Sequence, residues 1–191
     1  MSDAAAQRRA RQTVINLLLS LAATVGVVIL MVLVVPRDDS NQIPHVDYKA
    51  VARDATDATG RPIIIPEIEA NWWSNSARLS TKPKDGTDGS WYVGFVGPKN
   101  QYIGFTQTFK TNPTWLALQL TDMQQTGEIS TQGRSWQVWQ SVEKHVPAKT
   151  RDYMLVSGIN DDTLLIYGTA SESEFKAFAS GVTSLVSKVY P

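Results

Sequence analysis

The sequence predicts an α+β domain set behind one membrane-spanning helix. Three observations lead there. Val14 to Val35 reads VINLLLSLAATVGVVILMVLVV and carries no charge. From residue 71 onward, runs of alternating apolar and polar residues are joined by short pieces rich in Gly, Asn, Asp and Pro, which is the pattern of antiparallel strands. Around those runs, three stretches show helix grammar instead, with apolar residues three and four apart behind a capping residue.

The elements follow in chain order. Residues 1–13 are small, polar and basic without apolar periodicity, and are expected to form a disordered cytoplasmic arm. Ala10-Arg11-Gln12 behind the Arg8-Arg9 pair does not continue a twin-arginine signal. Val14–Val35 is 22 residues, or about 33 Å as a helix, against a hydrocarbon core of about 30 Å. Arg8, Arg9 and Arg11 precede it, whereas Arg37 is followed at once by Asp38 and Asp39. The positive-inside rule then keeps the N-terminus in the cytoplasm and sends the rest across the cell membrane. A cleaved signal peptide is the competing reading. It has a shorter apolar run and a small-x-small cleavage site, and Val34-Val35-Pro36 is a poor one, so a retained single-pass signal-anchor is expected. Asn16, Ser20 and Thr24 form a faint polar stripe, and Ala22 and Gly26 a small-residue pair. Both features occur at helix contacts and in isolated spans alike.

Residues 36–46 read as a polar linker with prolines. The domain, 47–191, opens with a helix over Asp47–Thr59. Tyr48, Val51, Ala52 and Ala55 lie on one face, Asp47 caps and Gly60 stops it. Pro62 and Pro66 force Pro62–Pro66 to be extended, as an edge segment of the sheet. Trp72–Ser80 reads as a strand with Trp73, Ala77 and Leu79 on one side. Asp85–Gly89 is a loop. Trp91, Val93 and Phe95 alternate with Tyr92, Gly94 and Val96, the turn Gly97–Asn100 follows, and Ile103, Phe105, Gln107 and Phe109 share the next strand's apolar side. Asn112-Pro113 starts a helix, by N-cap and proline at the first position, expected to run through Met123. Gln132-Gly133 joins Gly127–Thr131 to Arg134–Gln140, where Trp136 and Val138 face away from Gln137 and Trp139. Asn160-Asp161-Asp162 joins Tyr153–Gly158 to Thr163–Gly168, two apolar strands expected at the sheet centre. Ser171-x-x-Glu174 is a capping box. It opens a final helix striped by Phe175, Phe178, Ala179, Val182, Leu185, Val186 and Val189, with Glu172 and Lys176 as an i, i+4 pair.

Four pieces in this order resemble an actinobacterial family of membrane proteins known as domain of unknown function 4245. They are the proline-bounded segment leading to Trp72-Trp73; Trp91-Tyr92-Val93-Gly94-Phe95 with Gln101-Tyr102-Ile103; Gly133-Arg134-Ser135-Trp136; and Tyr167-Gly168-Thr169-Ala170-Ser171. The resemblance covers nearly the whole chain. It implies a single-pass protein with its domain outside the cytoplasm and supplies no activity. The layout is also loosely similar to the PsbP and Mog1 folds, an analogy that carries no function.

Composition excludes several chemistries. Of 18 basic and 18 acidic residues, three and one lie before Val14, leaving 15 and 17 in the rest. That near-neutral balance lacks the basic stripe of a nucleic-acid binder. Without cysteine, thiolate catalysis, disulfides and cysteine metal sites are impossible. His45 and His145 are the only histidines, too few for a zinc site without carboxylate help, and no metal or cofactor is expected. Glu67 and Glu69 would share a strand face and read as solvent-facing. Asp161-Asp162 lacks the ligand alternation of a calcium loop. No serine sits in a nucleophile elbow. Gly94, Gly97 and Gly104 precede no helix that would make a phosphate loop.

Aromatic residues are the remaining feature. Trp72, Trp91, Tyr92, Tyr102 and Trp139 are the candidate lining of a ligand groove, since rings combine stacking surface with a polar edge; packing in the core is the favoured reading. Partners expected are the lipid bilayer through Val14–Val35 and an envelope protein or component, not nucleic acid. The preferred function is a non-enzymatic binding module at the cell envelope. The alternative is an extracytoplasmic hydrolase using the Glu67/Glu69 region or His145, against which stands the lack of a convergent acid, base and nucleophile.

Overall fold

The computed structural model describes residues 3–34, 44–81, 87–143, 145 and 149–190. The chain divides into two units, Met1–Gln42 and Ile43–Pro191. In the first, helix α1 runs from Asp3 to Val34. It starts well before the apolar run, so the arm expected to lack structure is helical from Asp3. Ala, Arg and Gln fill it, all strong helix formers, and the span behind it spares them the cost of nucleation. By length and composition α1 is able to cross a membrane. Thr24 donates its hydroxyl to the Ser20 carbonyl at 3.0 Å, which satisfies the polar group inside its own helix. The linker expected over 36–46 falls mostly outside the described residues.

In the second unit, helix α2 (Tyr48–Thr59) is capped by Asp47, whose side chain accepts from the Ala50 N–H, and ends on Gly60 at φ 63°. Seven strands follow: β1 (Trp73–Ser80), β2 (Ser90–Val96), β3 (Tyr102–Thr108), β4 (Met123–Thr131), β5 (Arg134–Ser141), β6 (Tyr153–Ile159) and β7 (Asp162–Gly168). Helix α3 (Pro113–Gln119) links β3 to β4, and α4 (Glu172–Val189) closes the fold. The sheet order is β1-β2-β3-β7-β6-β5-β4, antiparallel throughout. Two meanders thus meet at β3 and β7, which places the third hairpin at the centre as its composition predicts.

The main core lies between one sheet face and α2 and α4. Trp91, Phe95, Phe105, Trp136, Leu164 and Ile166 from the strands pack with Phe175, Ala179, Val182 and Val186 from α4. On the opposite face Met154, Val156 and Leu165 pack under Trp115, Leu116 and Leu120 of the α3 region.

Four local readings are corrected here. Pro62–Pro66 is extended but is no strand. Ile63 and Ile64 are buried in the main core, and the Gln107 side chain replaces a strand partner. Its amide accepts from the Ile64 N–H at 3.0 Å and donates to the Pro62 carbonyl at 2.9 Å. In β1 a bulge between Ser74 and Ser76 shifts the register. Ser74, not Trp73, therefore shares the core side with Ala77 and Leu79, because one inserted residue exchanges faces. Helix α3 stops at Gln119 rather than Met123, since Asp122 takes φ 62° and Met123 already begins β4. The N-cap is as read, with Asn112 accepting from the Trp115 N–H at 2.8 Å. Last, Glu172 and Lys176 are not among the ion pairs of the described residues.

The capping box at Ser171 forms as expected. The Ser171 N–H and hydroxyl both donate to Glu174 Oε2, at 2.8 and 2.7 Å, and Gln101 donates to Oε1 at 2.9 Å. The Ser171 backbone bond first, then its hydroxyl, hold the Glu174 carboxyl below its ordinary value. A lowered carboxylate contributes stability that is present above its unfolded value and lost as pH falls through the folded one. The thermal midpoint should therefore drop as pH is lowered through the ordinary glutamate range. Glu174→Gln should flatten that part of the profile; an unchanged slope would deny this carboxylate the role.

Candidate functional site

The five candidate groove residues do not line one groove. Neighbouring positions on a strand point to opposite faces, and that separates them. Trp91 is 0% exposed in the main core, so it is packing and not lining. Trp72 is half-buried on the same side of the sheet, in a small cleft of about 100 Å³ with Glu67, Glu69, Ile103, Glu174 and Phe178. Trp139 lies on the other face with the α3 residues, and its indole donates to the Gln137 side chain at 3.1 Å. Tyr92 and Tyr102 do come together, on that second face, at the half where α3 does not pack.

Two glycines make this patch. Gly94 and Gly104 are cross-strand partners on β2 and β3. Without side chains there, tyrosine rings drape across the sheet. A Cβ at Gly94 would lie 2.5 Å from the Tyr102 hydroxyl and 2.9 Å from that of Tyr92. One at Gly104 would lie 2.9 Å from the Tyr167 ring. The Tyr92 and Tyr102 hydroxyls bond each other. Tyr167, on β7, completes a row of three that sequence reading had noticed only as part of a motif.

Each end of the row carries a cation. The Arg78 guanidinium sits 4.2 Å from the Tyr92 ring centre, and that of Arg151 5.8 Å from Tyr167. Among the described residues neither arginine forms an ion pair with a carboxylate. Arg151 also donates to the Gln119 side chain at 2.8 Å. The Arg78–Tyr92 contact was legible in principle, because hairpin register sets the two residues opposite each other. That of Arg151 was not, since it comes from a loop. Burial pushes the Tyr102 and Tyr167 phenols up, so both stay neutral at ordinary pH. At the β1 end, the Trp73 indole N–H and the Asn75 side-chain oxygen are buried without a hydrogen-bond partner among the described residues.

Residues 9–182 match the family described as protein of unknown function, DUF4245. The chain belongs to the DUF4245 family. No curated protein and no solved structure matches the chain, so the PsbP and Mog1 likeness finds no support among solved structures.

The other candidate groups of this DUF4245 protein are dispersed. Glu67 and Glu69 are exposed and lie in a loop, not on a strand. His45 stacks on Trp73 with ring centres 5.4 Å apart. His145 bonds Asp152 through Nδ1 at 2.8 Å, with Glu143 3.7 Å from Nε2. Asp162 begins β7 as part of a partly buried network. Its carboxylate accepts from the Tyr190 hydroxyl at 2.8 Å and the Lys110 N–H at 3.1 Å. The Asp161-Asp162 pair is thus a turn and a strand start. Among the described residues no group of three or more His, Asp and Glu side chains is placed to hold a metal.

Proposed function

We propose that the protein is a membrane-tethered, non-enzymatic binding module whose domain stands outside the cytoplasm at the cell envelope and takes an acidic segment of a protein partner. The observation that carries this reading is the row Tyr92, Tyr102 and Tyr167 with Arg78 and Arg151 at its ends and, among the described residues, no carboxylate paired to either cation. Tyrosine and arginine are the residues that dominate binding energy at protein interfaces. A sheet face two to three strands wide suits a polypeptide better than a small molecule. Two unneutralised guanidiniums select carboxylates. The charge-free run up to Val34 supports the tether, and Arg8, Arg9 and Arg11 on one side of it support the orientation.

Two measurements test the halves of this reading separately. A reporter that works only outside the cytoplasm, fused after Pro191, should be active; activity of a cytoplasm-only reporter at that position would overturn the orientation. For binding, a photo-reactive phenylalanine at Ser76, beside Gly94, is placed in the full chain in its membrane. It should capture an added Glu-Tyr repeat peptide, and the Arg78→Glu, Arg151→Glu double variant should reduce that yield about tenfold or more. Equal capture by the double variant, or equal capture of a Lys-Tyr repeat peptide, would overturn the binding surface.

A further inference from the structure

A second site lies on the opposite face of the sheet. Beneath the C-terminal half of α4 is a polar cleft of about 430 Å³, a size within the range of small-molecule sites. Its lining includes Gln132, Arg134, Ser135, Ser157, Thr183 and Ser187, with no carboxylate. Arg134 starts β5 directly after the turn in which Gln132 and Gly133 both take positive φ, 48° and 84°. The turn brings the guanidinium to the end of β6. There Nη1 donates to the Gly158 carbonyl at 2.7 Å and to the Ser157 hydroxyl at 3.4 Å.

Those two bonds use one corner of the guanidinium. Among the described residues Nε and Nη2 have no hydrogen-bond partner, and they form the edge that grips a carboxylate or phosphate with two parallel bonds. Arg134 forms no ion pair among the described residues. Partial burial lowers its affinity for the proton, as expected of a cation desolvated without an opposite charge. The Ser135 hydroxyl is taken by the Glu128 carboxylate. The remaining walls offer hydroxyls and an amide: Gln132 bonds Ser180 and Ser184 of α4 at 3.2 and 2.7 Å, which fixes the rim.

We infer that this cleft binds a small hydroxylated molecule bearing one oxyanion, a sugar acid or a sugar phosphate, with Arg134 gripping the anion through its Nε and Nη2 edge and the exposed Ser187 hydroxyl and the Gln132 amide facing the hydroxylated body. The site is independent of the tyrosine face: an anion seated at Arg134 touches none of that face's residues.

The test uses the full chain in detergent and follows its thermal unfolding midpoint. The probes are glucuronate, glucose 6-phosphate and uncharged glucose. One or both anions should raise the midpoint, and glucose should not; which anion acts tells sugar acid from sugar phosphate. Arg134→Lys keeps a charge but loses the two-bond edge, and should weaken the response about tenfold. Ser187→Glu adds a carboxylate at the exposed rim without removing Arg134, so it should abolish the response even if Arg134 variants fold poorly. Failure of both anions to raise the wild-type midpoint, an equal rise with glucose, or an undiminished rise in Ser187→Glu would each overturn the inference.

Discussion

Gly168→Ala should cost about 3–5 kcal/mol, enough to remove much of a typical domain's margin. Gly168 ends β7 at φ 157°. A Cβ there would overlap the Tyr102 carbonyl oxygen and lie 3.1 Å from the Ile103 Cα. Both neighbours are backbone, and both belong to a strand fixed on two sides. The Tyr102 carbonyl is also engaged, accepting from the Thr169 and Ala170 N–H groups at 2.9 and 3.3 Å. Neither partner is able to yield without breaking the β3–β7 seam. Urea unfolding followed by tryptophan fluorescence checks this. Gly158→Ala on the adjacent β6 is the control. An added Cβ there meets nothing within 4 Å, so its effect should stay under about 1 kcal/mol.

Trp91→Ala should cost a similar amount, about 3–5 kcal/mol, through lost transfer energy and the cavity left behind. Capture of the acidic peptide should change only as far as the protein unfolds. The pattern should invert at the next residue, where Tyr92→Ala weakens capture with a smaller loss of stability. A finer comparison separates the two buried indoles. Trp136 donates its N–H to the Thr183 hydroxyl at 3.2 Å, whereas the Trp91 N–H has no hydrogen-bond partner among the described residues. Phenylalanine should therefore be tolerated better at 91 than at 136, because only the second exchange breaks a buried hydrogen bond.

These adjacent residues also show what sequence reading reaches. Alternation identified β2 and β3, the hairpins, the capped helices and the central place of β6 and β7, because each rests on local spacing and on residues with few conformational choices. Asn112, Gly60, Gly133 and the Ser171–Glu174 pair acted as read for that reason. Two misses came from single backbone events without a side-chain signature. The bulge at Ser74–Ser76 moved Trp73 off the core side, and the positive φ of Asp122 cut α3 short. The candidate aromatic residues divide between the two sheet faces for a different cause. Composition counts rings but does not say which sheet face the helices cover, so Trp91 and Tyr92 looked alike until the fold put Trp91 in the core shared by α2 and α4 and Tyr92 on the opposite face. Arg134 read only as part of a motif, since its meaning depends on β6 and α4 converging on it from more than 20 residues away.

The sheet order has a consequence for how the domain comes into being. β7 is synthesised after all six of its fellow strands, yet it sits at their centre, between β3 and β6. Until it arrives, the β1–β3 and β4–β6 meanders each present an unpaired inner edge. The domain is therefore unable to fold stepwise as it leaves the ribosome, and its central pairing joins residues far apart in the chain, which slows folding. The last strand to be made is thus the one that joins the two halves of the sheet.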